Sequence, residues 1–488
     1  MQPDKAALPS ESSSPLTRLE ADVCVIGGGP GGLAVATGAA AFGRRVVLIE
    51  KSKMGGNSLG CGSVPSNAFL AAAHRAHQIR SCGPFGIAAS EPEIDLAAVN
   101  RHVRSVVADI SRNDSAERFK ALGVQVIHAP ARFTGPSTIA AGDFVIEARR
   151  IVIATGSVPV IPPIAGLDGV RYLTNETIFE NSVLPQHLII AGGGPFGIEM
   201  AQAHRRLGAR VTVLEARKVL ARYDPEMSGR LLALLRQEGV EIRENTSLTS
   251  VQSMEGGLRA ELSGPKGMDN IEGSALLIAA GQQPNVSGLN LSAAGIRFDK
   301  SGISVDAGLR TSNRKVYAIG DVAGGPAFTH VAEYHAGIVL RRILFRLPAK
   351  ASADAIPWVA FTQPELAHVG LSEADAAARK IKPRILRWSF AQNDRAITDR
   401  VTEGHVKVVT DHRGRVLGAT ILGAEAGELI QVWSLAIARG MEVKDIANSI
   451  PAYPTLGEVN RRAALRFFTD SPANPLLRRV IGWLAKAG

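Results

Sequence analysis

Two segments of the chain, 165 residues apart, repeat one pattern: a short apolar run, a glycine-rich turn, a helix-length stretch, and a second apolar run that ends in glutamate. In the first copy Asp22-Val23-Cys24-Val25-Ile26 leads into Gly27-Gly28-Gly29-Pro30-Gly31-Gly32, and Arg45-Val46-Val47-Leu48-Ile49-Glu50 closes the unit. In the second, His187-Leu188-Ile189-Ile190-Ala191 leads into Gly192-Gly193-Gly194-Pro195-Phe196-Gly197, and Ala209 to Glu215 closes it. Uninterrupted apolar runs of this length read as buried parallel strands, so each copy predicts strand, tight turn, helix, strand. The turn glycines, Gly27, Gly29, Gly31 and Gly32 in one copy and Gly192, Gly194 and Gly197 in the other, let backbone amides approach a pyrophosphate at a helix N-terminus. Glu50 and Glu215 are placed to accept hydrogen bonds from ribose hydroxyls. Two such units imply two dinucleotides in one chain, one a tightly held flavin and the other an exchangeable nicotinamide.

Several further segments fit this frame. Ile151-Val152-Ile153-Ala154-Thr155-Gly156, Ala279-Ala280-Gly281-Gln282-Gln283-Pro284-Asn285 and Tyr317-Ala318-Ile319-Gly320-Asp321 are strand-to-turn segments. Near the C-terminus stand Pro357 to Ala367, Val416 to Gly423 and Pro451-Ala452-Tyr453-Pro454-Thr455-Leu456-Gly457-Glu458. Between the first helix and these lies Gly55-Gly56-Asn57-Ser58-Leu59-Gly60-Cys61-Gly62-Ser63-Val64-Pro65-Ser66-Asn67. Over residues 20 to 470 the chain resembles the pyridine nucleotide–disulfide oxidoreductases of the mercuric reductase and dihydrolipoamide dehydrogenase kind. The resemblance implies an α/β fold with two Rossmann-like dinucleotide-binding domains and a C-terminal α+β dimerisation domain. It also implies that Thr155, Gly156 and Asp321 contact FAD, that NADH or NADPH occupies the second fingerprint, and that the chain is a homodimer.

The departures from the family pattern bear on chemistry. Ser58 and Ser63 hold the positions of the family's two redox cysteines, and a hydroxyl cannot cycle through a disulfide. Tyr453 stands where the family has its catalytic histidine, so the imidazole that would shuttle a proton to a thiolate is missing, while Glu458 is retained. A tyrosine here is also similar to the soluble pyridine nucleotide transhydrogenases. Asn67 replaces the lysine that pairs with the carboxylate equivalent to Glu199. A neutral amide can hydrogen-bond Glu199 but does not neutralise it. Cys61 lies two residues before Ser63, about 200° away if the segment is one helix, which points it into packing. Cys24 and Cys82 read as structural. His74 and His77, at i, i+3, read as surface polar residues, with no metal site assigned.

The resulting expectation is an FAD-dependent NAD(P)H oxidoreductase that lacks the redox-active disulfide. It would pass electrons to a small, quinone-like acceptor met by Ser58, Ser63 and, across the two-fold axis, Tyr453 and Glu458. The alternatives are a soluble transhydrogenase and a non-catalytic flavin-binding descendant of a disulfide reductase. For the dinucleotide, Glu215 favours NADH over NADPH, with Arg217 and Lys218 nearby as the opposing signal.

The expected domains are a disordered leader (1–20), a discontinuous FAD-binding domain (21–156 and 286–352), an NAD(P)-binding domain (157–285), an interface domain (353–472) and an amphipathic tail (473–488). Three cysteines make no disulfide framework, so a cytoplasmic setting is expected. A formal charge of +10 reads as a basic surface that attracts anionic dinucleotides; no nucleic-acid module is visible. In the tail, Leu476, Leu477, Val480, Ile481 and Leu484 share a helical face with Trp483 nearby, and Arg478, Arg479 and Lys486 lie mostly elsewhere. Docking on the protein's own surface is favoured there over weak peripheral membrane contact.

Overall fold

The computed structural model describes residues 16–469 and 475–486. Contacts divide the chain into two compact units. One comprises the chain up to Gly60, Val107–Val158 and Gln282–Ala351; the other comprises Cys61–Val106, Pro159–Gly281 and the chain from Ser352 onward.

In the first unit, the apolar runs form the middle of a seven-stranded sheet. Thr17–Ile26 pairs in parallel with Val46–Glu50, which pairs with Val124–His128. On its other side Thr17–Ile26 pairs in parallel with Phe144–Ile153, which also receives the parallel strand Val316–Ala318. Strands buried on both faces need continuous apolar sequence, and Val25, Leu48, Ile151 and Ile153 are fully buried. The helices Pro30–Ala41 and Thr329–Leu344 cover one face, packing around Val35, Leu48 and Val339. The other face closes over Ile26, Ile49, Phe133 and Ile151. Residues 1–15 of the expected leader lie outside the described residues. Thr17–Glu20, also expected in the leader, are the first residues of the central strand. They pair with Phe144–Glu147, because the partner strand is long enough to supply ladder hydrogen bonds to a polar segment.

The second unit contains the second fingerprint. A parallel sheet runs in the order Val240–Glu244, Arg210–Glu215, His187–Ala191, Ala275–Ile278. Residues 61–106, assigned from the sequence to the flavin-binding segment, cluster here. The helix Ser63–Arg80 lays Phe69, Leu70 and Ala73 into the same core as Ile198 and Met200 of helix Pro195–Arg206. The C-terminal part is a five-stranded antiparallel sheet backed by helices around the buried Trp433. Lys407, 4% exposed on that sheet, meets Asp224 at 2.8 Å, Glu373 at 2.9 Å and Glu226 at 3.2 Å. Asp224 also caps helix Pro225–Gln237 through the N–H groups of Glu226 and Met227. One buried cation thus fastens the nucleotide sheet's helix to the C-terminal sheet, and removing one partner from such a cluster typically costs about 3–5 kcal/mol.

The tail forms a helix, Pro475–Leu484. Of the apolar face expected to dock on the chain's own surface, the described side chains are open. Val480, Ile481, Trp483 and Leu484 are 47%, 56%, 69% and 55% exposed. Residues 470–474 and 487–488 lie outside the described residues. Among the described residues, no helix is long and apolar enough to cross a membrane.

Candidate functional site

The two fingerprints fold into near-identical turns, each within its own unit. Gly27 (φ +110°) and Gly192 (φ +126°) both adopt backbone conformations closed to L side chains. A Cβ at either would strike the carbonyl oxygen of the neighbouring strand's exit, at Ala154 or Ala279. Both helices begin with proline at the first position after an extended N-cap glycine, Gly29 or Gly194, and no side chain caps either one. Their first-turn amides are therefore available to an anion. The Glu50 carboxylate accepts the Gly28 N–H at 2.6 Å and the Ser52 N–H at 2.7 Å. Glu215 repeats this arrangement with Gly193 at 2.8 Å and Arg217 at 2.9 Å. The backbone thus fixes each acid at the end of its strand.

In the first unit, further predicted residues gather around this turn. Thr155 Oγ1 donates to the Asn285 carbonyl at 2.7 Å, and the Asn285 N–H donates to the Gly156 carbonyl at 2.9 Å. Asp321 opens the turn after strand Val316–Ala318 and accepts the Ser157 hydroxyl at 2.6 Å. Burial raises the Asp321 carboxyl above its ordinary range, and the Ser157 hydrogen bond opposes that rise. Asn57 in turn donates to the Ser157 carbonyl at 2.6 Å.

The serine segment is two helices rather than one. Gly56–Gly60 carries Ser58, and Ser63 begins Ser63–Arg80. Cys61 and Gly62 fall in the break, so the helical-wheel argument for Cys61 does not apply. Its thiol is nevertheless a poor nucleophile: burial and the nearby Glu176 carboxylate push it up to about 11, against an Asn175 hydrogen bond. Cys24, Cys61 and Cys82 are all free. Ser58 Oγ lies 2.7 Å from Thr329 Oγ1.

In the second unit, Asn67 and Glu199 each have another partner. Asn67 Nδ2 donates to the Ser63 carbonyl one turn back at 2.9 Å, and Glu199 accepts the Phe361 N–H at 2.9 Å. The sequence had allowed an Asn67–Glu199 hydrogen bond, but the short amide is satisfied by its own helix. Glu199 is buried, which pushes its carboxyl up to about 7; the Phe361 N–H opposes this and Glu365 reinforces it. Glu365 is itself pushed up to about 7 by burial, with the Gly427 N–H opposing. The hydroxyl of Tyr223, whose ionisation burial and Glu199 both oppose, is buried with no hydrogen-bond partner among the described residues. Tyr453 is 70% exposed beside Ile450, which is 95% exposed. Its hydroxyl donates to Asp394 at 2.7 Å, and Glu458 takes the Arg462 guanidinium at 2.8 Å.

The profile of the pyridine nucleotide-disulphide oxidoreductases matches residues 21–336, and that of the family's dimerisation domain matches residues 356–464. The chain belongs to this family. A mercuric reductase of Streptomyces lividans is 36% identical over 457 residues, covering 92% of this chain and 96% of that protein. A dihydrolipoyl dehydrogenase of Geobacillus stearothermophilus is 33% identical, covering 91% and 96%. Among solved structures, LpdA of Mycobacterium tuberculosis superposes with a TM-score of 0.84 at 28% identity, covering 92% of this chain and 99% of that one. The HOCl-induced flavoprotein disulfide reductase RclA of Escherichia coli, as its Cu(II) complex, gives 0.82 at 25%, covering 91% and 99%.

The oxidoreductase family's cofactors are FAD and NAD(P)H, and the residues present fit both. The uncapped helix at Gly29, the fixed Glu50 and the buried Asp321 suit an FAD pyrophosphate, ribose and ribityl chain. At the second fingerprint, a Cβ on Gly194 would meet nothing within 4 Å, leaving room for a pyrophosphate on helix Pro195–Arg206. Sequence reasoning missed Asn57, Ser157 and Thr329. Only Ser157 had a signal, its place directly after Gly156. Among the described residues no cluster of three or more His, Cys, Asp or Glu is arranged to hold a metal ion. His74, read as surface polar, is half-buried near Arg206, and burial pushes its imidazole down to about 4.

Proposed function

We propose that this family member is an FAD-dependent NAD(P)H oxidoreductase that works without a dithiol relay and passes electrons directly to a small, quinone-like acceptor. Bound FAD would supply two-electron redox chemistry between a nicotinamide and the acceptor. The observation that carries this reading is the pair Ser58 and Ser63 at the dithiol positions, together with a Cys61 thiol held largely protonated at neutral pH. Glu50 and Asp321 orient the flavin dinucleotide. Glu215 orients the nicotinamide dinucleotide, and its carboxylate disfavours a 2′-phosphate, which points to NADH. In a homodimer, Tyr453 and Glu458 would offer hydrogen-bonding groups to the acceptor from a second copy of the chain. Ser58 and Ser63 would offer hydroxyls where kin offer sulfur. The division into flavin-binding (21–156 and 286–352), nicotinamide-binding (157–285) and interface (353–472) domains belongs to the same proposal.

An acceptor screen on the enzyme reduced anaerobically by NADH tests the reading. Fast reoxidation by soluble quinones, and slow reoxidation by disulfides and by oxidised nicotinamide nucleotides, is the expected result. Preferential transfer to a second nicotinamide nucleotide would replace the reading with a transhydrogenase. No reduction by either nucleotide would leave a flavin-binding protein without this activity.

A further inference from the structure

We infer that the C-terminal helix Pro475–Leu484 is a docking element for an anionic lipid surface and lies in the plane of that surface. At 100° per residue, Trp483, Val480, Leu484 and Ile481 fall within one arc of about 160°, and Arg478 and Arg479 fall outside it. All four of those apolar side chains are exposed. A cluster of exposed large apolar groups at one edge of a chain is costly to leave in water and marks an interaction surface.

Three observations select the occupant. The first is charge: Arg478, Arg479 and Lys486 accompany the apolar arc, no acidic residue occurs between Ser471 and Gly488, and the whole chain carries +10. Basic residues flanking an apolar helical face are drawn to anionic headgroups while the apolar side chains enter the acyl boundary, and a tryptophan suits that depth. The second is length: ten residues span about 15 Å, half of a bilayer core, so the helix can lie on a membrane and cannot cross it. The third is position: the helix lies beyond residue 464, where the match to the dimerisation profile ends. This inference does not rest on the identity of the electron acceptor.

Sedimentation of the FAD-loaded enzyme with vesicles tests it. Vesicles of phosphatidylcholine alone are compared with equimolar phosphatidylcholine and phosphatidylglycerol, at low salt and at 0.5 M salt. The expected result is binding to the anionic vesicles at low salt, reduced about fivefold or more by high salt and on neutral vesicles. A chain ending at Thr469 and the full-length variant Ile481→Asp should both lose this binding while keeping the flavin spectrum and NADH reduction. Three results would overturn the inference: no binding of the full chain to anionic vesicles, equal binding by the chain ending at Thr469, or conversion of that shortened chain to a smaller species on light scattering, which would assign the helix to contact between copies. Retained binding by Ile481→Asp would reject the apolar arc as the contact.

Discussion

Ser58 Oγ and Thr329 Oγ1 are 2.7 Å apart, joining the short helix after the first fingerprint to the first residue of helix Thr329–Leu344. The Ser58 hydroxyl therefore has a structural hydrogen bond. A part-buried neutral bond of this kind contributes about 1 kcal/mol. Ser58→Ala should lower the unfolding free energy by about that amount, while nicotinamide reduction of the flavin changes less than about threefold. Denaturant melts and stopped-flow traces check both. A hundredfold loss of flavin reduction with unchanged stability would make Ser58 a reacting group.

Ser157 sets the Asp321 carboxylate from 2.6 Å, and Asn57 holds the Ser157 backbone. Hydrogen bonds to a charged group are worth about 1.5–3 kcal/mol. Ser157→Ala should raise the FAD dissociation constant about tenfold or more, read by flavin fluorescence on dilution. Unchanged retention would show that Asp321 is held by its own backbone.

What the sequence made legible follows from where the physics is local. The parallel strands around Val25, Leu48 and Ile190, and the turns at Gly27 and Gly192, are fixed by runs of adjacent residues. Their arrangement is visible without tertiary knowledge. The same spacing placed Glu50 and Glu215 at their strand ends, but the Gly28 and Gly193 amides that hold them emerge only in the fold. By contrast Ser157, 164 residues before Asp321, meets it only through the pairing of Phe144–Ile153 with Val316–Ala318. The angle for Cys61 holds only for one continuous helix, whereas one helix ends at Gly60 and Gly62 caps the next. For the tail, periodicity gives the apolar face and not what covers it.

Glu199 links pH to stability. Its carboxyl titrates near the ordinary 4.5 when unfolded and at about 7 when folded. The folded state therefore binds the proton more tightly, and this stabilisation is complete below pH 4.5 and lost as pH rises through 7. Glu199→Gln should flatten the decline of stability between about pH 5 and 8 by roughly 1–3 kcal/mol, with Glu365 retaining its own share. Unfolding curves across pH provide the check. A variant with the wild-type slope would place the carboxyl in an ordinary environment.

The role proposed for the acid at the second fingerprint is to set nucleotide choice. Glu215 is held by Gly193 and Arg217 amides at the strand end. Flavin reduction should favour NADH over NADPH by about tenfold, a difference of about 1.4 kcal/mol. Glu215→Ala should erode that ratio mainly by improving NADPH, with Arg217 and Lys218 left to meet the phosphate. A wild-type preference for NADPH would reject the argument.

Whether electrons pass through flavin with no dithiol beside it is decided by an anaerobic NADH titration of the purified FAD enzyme. The expected result is complete bleaching of the flavin at one NADH per FAD, without a long-wavelength thiolate-to-flavin charge-transfer band, and an identical titration for Cys61→Ser. A second equivalent consumed per FAD, or a charge-transfer band that disappears in Cys61→Ser, would contradict it.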